Sequence, residues 1–486
     1  MTMFVHRTAS SGRLAQLADR YQAPLASAFA ILLLLALHRS FNFVTPHYDA
    51  GEYWKLAALD QLYDLPSLRG YVFPVLLAPV RYLTSIGSSP MLMYRGSMSL
   101  IYGVLLTTVL PAAFQQAFGG KITLARRLVP VVLLAAVFPG LLMYPLSDLP
   151  ALLLTFSALL CLLWARDPAS SMRQFLCRLF GAGFLLGAAY NTRTIYLFAA
   201  IPLSVLAALA IRRQWAQKSF PPWLGVTLFL LGLLTVSLPQ LVINQRAHGV
   251  NSFAVQSLVN SRSLFANQLA WGMTLQRYET TLDDALGVRV YYFDPAGARL
   301  LERVAGGGDL FTLSYYLKVA SRNPLDFLAL YSRHVINGLD VRDGLVYTHK
   351  PSPKRNMTAF VNFLVLALAV LVAASVRRHP GQPVSSGFGQ GSGRQALSLA
   401  VLIFPVAAIV PGAIETRYFL PVHLLAYCVI AMHFDSAKLR RMWSLHAGSI
   451  LLALAVAAGV FFAVTLNTMA NIQYEWPEIY SNPPPG

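Results

Sequence analysis

The sequence predicts an all-α polytopic membrane protein of about 11 transmembrane helices, with further helices lying against its outer surface. Three observations predict it. Of 486 residues, 56% are hydrophobic and only 12% charged, against about 25% charged in soluble proteins. Mean hydropathy is +0.54. The Lys and Arg residues also fall in short loops on one side of successive apolar runs.

The apolar runs are 22–40, 91–114, 128–145, 148–165, 179–191, 194–211, 222–243, 356–376, 395–412, 418–434 and 444–466. Residues 179–191 form the weakest of them, short and rich in Gly and Ala. The N-terminus lacks an early apolar core with a small-residue cleavage site, so it reads as a retained cytoplasmic tail rather than a signal peptide. Loops 1–21, 115–127, 166–178, 212–221, 377–394 and 435–443 then lie inside, and each carries three Lys or Arg. Asp19, Asp167 and Asp435 are their only acids. The net charge of +18 is thereby a topology signal, not a nucleic-acid footprint. The preference for Arg over Lys, with abundant Ala and Leu, fits a bacterial inner (plasma) membrane. The three cysteines imply no disulfide framework.

Four regions follow. Residues 1–243 form an N-terminal transmembrane module with a first external loop at 41–90. Residues 244–355 form an external loop or subdomain, with a GGG break at 306–308 and its best helical candidate at 323–339. Residues 356–466 form the C-terminal spans, and 467–486, ending EWPEIYSNPPPG, a short mobile external tail. RGYVFPVLLAPVRYL (69–83) is too short and too Pro-interrupted to span, so it dips into or lies along the interface. The Gly-rich stretch 384–394 is a linker, since no strand precedes it as a nucleotide loop requires.

Chemistry concentrates at the outer ends of the spans. In FNFVTPHYDAGEYWKLAALD (41–60), Asp49 and Glu52 have the spacing of a capping box, with Asp49 as the cap. The competing reading has Asp49 taking a proton from an acceptor hydroxyl at the membrane boundary. Tyr53 follows, one of the residue types that settle at a membrane surface. Arg81, Arg95, Asp148, Arg193, Glu415, Arg417 and Tyr418 join them at that side. Acids and arginines together suit an anionic lipid headgroup and a hydroxyl acceptor. Each also has a structural reading: Asp148 as a helix cap, Arg193 as an interface anchor, Glu415 and Arg417 as ion-pair partners. Neither Arg193 nor Arg417 has an acid at i±3 or i±4, so both are expected to be open to an anion. One His with two acids in His47-x-Asp49-x-x-Glu52 makes a divalent metal site unlikely. No internal repeat of the kind found in many transporters is evident.

The order of several motifs resembles the C-type (GT-C) glycosyltransferases, which take sugars from polyprenyl-phosphate carriers. The protein O-mannosyltransferase and lipid A aminoarabinose-transferase branch is the nearest likeness. The resemblance rests on Asp49, Tyr53 and Ala57 at four-residue steps, RGYVFPVLLAPV, LMYRGSMSL, FPGLLMYPLSDLPALLLTFSALL, PQLVINQRAHGVNSF and ETRYFLPVHLLAY. Many members carry an acid directly after the first aspartate, where this chain has Ala50. The resemblance implies Asp49 as general base, with Glu52 the nearest acid to share its role. It implies a donor-phosphate and substrate site drawn from Arg193, Arg417, Tyr418, Asp148, Glu415, Tyr53 and Arg95. The implied reaction is inverting transfer of a sugar to a glycan, glycolipid or protein hydroxyl on the external face. No cofactor beyond the lipid-linked donor is implied, and no metal. An O-antigen ligase or polymerase is the alternative enzyme, and a lipid or solute transporter or flippase the alternative of another class.

The topology is testable by cysteine labelling in a chain whose native cysteines are replaced. Cysteines near Ser170 and Ser385 are expected to be shielded from an impermeant reagent in intact cells, and those near Asp64 and Ala298 to react. Labelling of the Ser385 site together with Ala298 would overturn it.

Overall fold

The computed structural model describes residues 10–40, 48–60, 65, 68–87, 89–167, 169–218, 221–259, 262–282, 289–304, 311–348, 354–377 and 392–474. His47, Asp64, the GGG break, Ser385, most of the Gly-rich linker and the tail from 475 lie outside them. The N-terminal module comprises α1 (Ser10–Ser40), α2 (Tyr48–Leu56), α3 (Val72–Ile86), α4 (Pro90–Phe118), α5 (Leu124–Val137), α6 (Pro139–Met143), α7 (Asp148–Ala165), α8 (Met172–Thr192), α9 (Leu197–Lys218) and α10 (Pro222–His248). The region between α10 and α15 follows with the hairpin strands β1 (Leu258–Val259) and β2 (Arg262–Ser263), then α11 (Leu264–Thr274), β3 (Leu275–Thr281), β4 (Arg289–Phe293), α12 (Pro295–Val304), α13 (Leu313–Arg322), α14 (Pro324–Leu339) and β5 (Tyr347–Thr348). The chain then continues through α15 (Lys354–Arg377), α16 (Ser392–Ile409), α17 (Leu420–His433), α18 (Ser436–Ala470) and β6 (Ile472–Gln473).

Among the described residues, seven helices are long and apolar enough to cross a membrane: Tyr21–Arg39, Pro90–Phe118, Asp148–Ala165, Thr194–Ala216, Pro222–His248, Lys354–Val376 and Ser436–Ala470. They mark a multi-pass membrane protein. Each of the other expected runs also falls on a helix, shorter or less apolar than these seven. The run 128–145 is divided at Phe138, because Pro139 disfavours helical backbone in the residue before it. The run 418–434 gives the 14-residue α17. The short segment after Gly70 forms α3, 15 residues long, packed on α4.

The Gly and Ala that made 179–191 look weak have a packing reason. A Cβ on Gly183 would collide with the Phe229 carbonyl, and one on Gly232 with the Phe180 carbonyl. The α8 and α10 backbones meet there, a contact that only small residues permit.

The fold is overwhelmingly helical, as expected, and carries one small four-stranded sheet besides. Strands pair in the order β5-β3-β4-β6, with β3–β4 and β4–β6 antiparallel and β3–β5 parallel. Directly after α18 the chain pairs as an edge strand through Tyr291↔Gln473 and Tyr292↔Ile472, and the tail from 475 lies outside the described residues. The predicted helix at 323–339 is α14, and the helix begun at Pro222 runs past 243 to His248.

The basic loops meet at the opposite end from the sheet. Arg126 donates to the Met432 carbonyl (2.9 Å), joining loop 115–127 to the end of α17. Gln214 donates to the Asp167 carbonyl (3.2 Å), joining loops 166–178 and 212–221.

Beneath the sheet lies a buried ion network. Arg277, 1% exposed, pairs with Glu279 and approaches Asp340 at 3.7 Å, and Arg355 donates to Glu279 at 2.6 Å. Burial would raise the Glu279 carboxyl, but Arg277 and then Arg355 outweigh it and lower it to about 2. A carboxyl depressed on folding stabilises above its unfolded value and loses that stabilisation as pH falls through its folded one. Acid unfolding is expected to set in between pH 4.5 and about 2. Glu279→Gln is expected to weaken the neutral-pH fold by about 3–5 kcal/mol, because it leaves buried arginine charge unmatched. The measurement is thermal unfolding in detergent against pH, and wild type and variant should converge at the acid end.

Candidate functional site

The site forms where α2, the start of α3, the α7 and α8 ends and the segment before α17 converge. Asp49 lies in the first turn of α2, and its side chain does not serve as the expected cap. Its two oxygens are held by different arginines: Oδ1 accepts from Arg69 at 2.7 Å and Oδ2 from Arg417 at 2.8 Å. Glu52 turns to the same Arg69, accepting from Nη2 at 2.8 Å and Nε at 3.1 Å, so the capping-box arrangement gives way to a shared cation. Arg417 also pairs with Glu415 and lies 3.8 Å from Asp148. Arg193 closes the set, 2.9 Å from Asp148. Both arginines expected to be open to an anion are therefore already paired, with acids distant in sequence that an i±4 scan cannot reveal.

Exposure separates the acids. Asp49 is 35% exposed while Asp148 is 3% exposed, so Asp148 is a buried counter-charge behind the arginines rather than a group facing a ligand. Ser147 occupies the cap position of α7, so Asp148 is not the helix cap either. Burial would raise the Asp49 carboxyl, yet Arg417, then Arg69 and more distantly Arg193, hold it well below the usual carboxylate range.

A cavity of about 480 Å³ opens above these groups. Asp49, Arg69, Asn191, Arg193, Arg417 and Tyr418 line its polar part, whereas Leu197, Phe198, Leu264, Phe265, Leu269 and Ile409 form apolar walls. Among the described lining residues Asp49 is the only acid. Tyr418 lies under both arginines, 4.8 Å from Arg193 and 5.7 Å from Arg417, and its hydroxyl meets Tyr278 of β3 at 2.6 Å. Tyr53 also lines the cavity and carries the Arg69 guanidinium 5.0 Å above its ring. Arg95 on α4 is not among the lining residues, nor are Glu52 and Glu415. Arg81 serves α2 instead, donating to the Trp54 carbonyl. Among the described residues no three His, Cys, Asp or Glu side chains are grouped to hold a metal ion.

Sequence reasoning missed Arg69, although it opens the quoted RGYVF stretch. It also missed a chain of amides. Asn191 donates to Gln240 (2.8 Å), Gln240 to Asn244 (2.8 Å), and Asn244 to the Ser252 and Ala254 carbonyls (2.6 and 2.7 Å). Gln240 and Asn244, at i and i+4 of a largely apolar helix, were the available signal. The chain fixes the segment whose Gln256 carbonyl accepts from Leu68 N at 2.6 Å, and Leu68 leads into Arg69. Tyr48, Leu68 and Val346 have positive φ (47°, 81° and 71°) and directly precede Asp49, Arg69 and Tyr347. Such backbone costs on the order of 1–3 kcal/mol per residue and persists only where its surroundings enforce it. Here Ala50 N donates to the Tyr347 hydroxyl at 3.1 Å, locking two of these segments together.

Comparison with protein-family models, with curated proteins and with solved structures gave no match.

The burial difference makes a stability prediction. Asp148→Asn should destabilise by about 3–5 kcal/mol, since it strips the buried partner of Arg193. Asp49→Asn should cost no more than about 1 kcal/mol, because Arg69 and Arg417 retain Glu52 and Glu415. Thermal unfolding in detergent separates the two, and equal losses would contradict this division.

Proposed function

We propose that the protein is an inverting glycosyltransferase of the GT-C kind, moving a sugar from a polyprenyl-phosphate carrier to an acceptor hydroxyl. The observation that carries this reading is a single solvent-open carboxylate, Asp49, on a cavity with arginines in its polar part and apolar side chains on its walls. That combination suits a donor with an anionic head and a hydrocarbon tail. The motif order described above supports the same reading.

In the proposed step the acceptor hydroxyl gives its proton to Asp49 as its oxygen attacks the anomeric carbon. The bond from that carbon to the phosphate oxygen breaks on the opposite face, and the carrier phosphate leaves. Arg417 and Arg193 take up the charge that develops on the leaving phosphate. No nucleotide is consumed, because the sugar arrives already attached to the lipid.

The resting geometry adds a requirement. A carboxylate held as low as Asp49 is a poor base, since a catalytic base works best near the operating pH. A donor phosphate competing for Arg417 would loosen its grip on Asp49 and raise the basicity of that carboxylate. The acceptor would then be activated only when the donor is in place. This reading assigns the paired arginines a use that free arginines would not have.

The test is product formation by purified protein in nanodiscs, with synthetic polyprenyl-phosphate sugars and candidate glycan, glycolipid and protein acceptors, read by mass spectrometry. Asp49→Asn should lower turnover about 10²-fold or more. Arg417→Ala should weaken donor use, with Arg417→Lys milder but not neutral because the forked geometry is lost. The acid limb of kcat/KM in the wild type should lie below the ordinary carboxylate range and move up in Arg417→Ala. Near-normal turnover of Asp49→Asn would exclude Asp49 as the base. Lipid translocation without product would favour a flippase.

A further inference from the structure

A second cavity, of about 830 Å³, lies between α15 and α18 with the end of α14 behind it. The two helices are pinned together near one end by rings, Phe363 lying 5.3 Å from Phe461 and 5.6 Å from Phe462. Toward the other end α18 departs from helical geometry at His446 (φ −138°, ψ 20°), and a groove remains between the helices down to Ala374 and Met442.

The groove is graded in polarity. Its polar lining residues, His446 and Ser449, are both near the Met442 end, and everything from Ile450 to Phe461 on its α18 side is apolar. Lys438 is exposed and stands four residues before Met442, so it continues the lining stripe of α18 to the groove mouth. Arg440 and Arg441 are exposed beside it, and among the described residues no carboxylate forms a salt bridge with either. Trp443, 45% exposed, sits at the same level, as aromatic residues do at a bilayer interface.

We infer that this groove binds an anionic glycerophospholipid, its phosphate at Lys438 and Arg441 within reach of His446, and an acyl chain running toward Phe461. The charge at the mouth complements a negative head, and basic pockets between membrane helices are a recurring form of lipid recognition. The α15 side from Phe363 to Ala374 is about 17 Å long at 1.5 Å per residue. That suits one fatty acyl chain, not a polyprenyl chain several times longer. The basic mouth of the groove lies at the start of α18, and the sheet at its end. Thr468, near its far end, donates to Gln276 of β3 at 2.6 Å, roughly 45 Å of helix from Lys438.

The test uses the full-length protein in detergent, incubated with equal phosphatidylglycerol and phosphatidylcholine, with retained lipid counted by native mass spectrometry. Wild type is expected to keep phosphatidylglycerol in preference to phosphatidylcholine. The double variant Lys438→Gln/Arg441→Gln should lose that preference by about fivefold or more. Ala457→Trp, which fills the groove, should lower retention of both lipids; if it does not fold, the charge variant alone decides. Retention by the charge variant equal to wild type would overturn the proposal. So would displacement of phosphatidylglycerol by an equal amount of polyprenyl phosphate, or a dimer that forms in place of lipid binding.

Discussion

Arg417 is the constraint on which the candidate site depends. Its buried guanidinium contacts Asp49 of α2, Asp148 of α7 and the neighbouring Glu415. A guanidinium taken out of water needs such partners, because leaving it uncompensated costs several kcal/mol. Satisfying it fixes three segments at once, including a carboxylate 368 residues away in sequence. The segment carrying α2 is thereby held against the C-terminal half, and the cavity exists because these pieces meet around one charge.

The acids around that charge divide the work by exposure. Asp148 and Glu415 are buried and keep Arg417 and Arg193 neutralised, whereas Asp49 opens on the cavity. In the proposed reaction this division leaves the arginines poised: paired enough to be stable without donor, and loosely enough on the Asp49 side to turn toward a phosphate. The backbone supports the same arrangement, with strained residues immediately before Asp49, Arg69 and Tyr347 and cross-links that hold them. The sheet reaches the site through Tyr278, whose hydroxyl meets Tyr418 beneath both arginines. Because α18 runs into β6 of that sheet, the last span is connected to the same surface.

The sequence by itself determined the membrane class and the helical runs. Those are properties of local composition: apolar length, basic loops, and polar residues at the margins of apolar runs. Of the residues it singled out, Asp49, Tyr53, Arg193, Arg417 and Tyr418 line the cavity, whereas Glu52, Arg95, Asp148 and Glu415 do not. What it could not contain was pairing. Arg193 and Arg417 read as open cations because their acids lie far along the chain, and only the fold brings Asp148 and Asp49 to them. Arg69 was missed for the same reason, its role being set by two acids on a neighbouring helix. The small sheet escaped because two of its strands are two residues long and paired across the chain, too short for any alternation to register. Tertiary structure decided which charges are buried and which one faces the cavity, because burial and partnership are set by contacts between segments that no local pattern encodes.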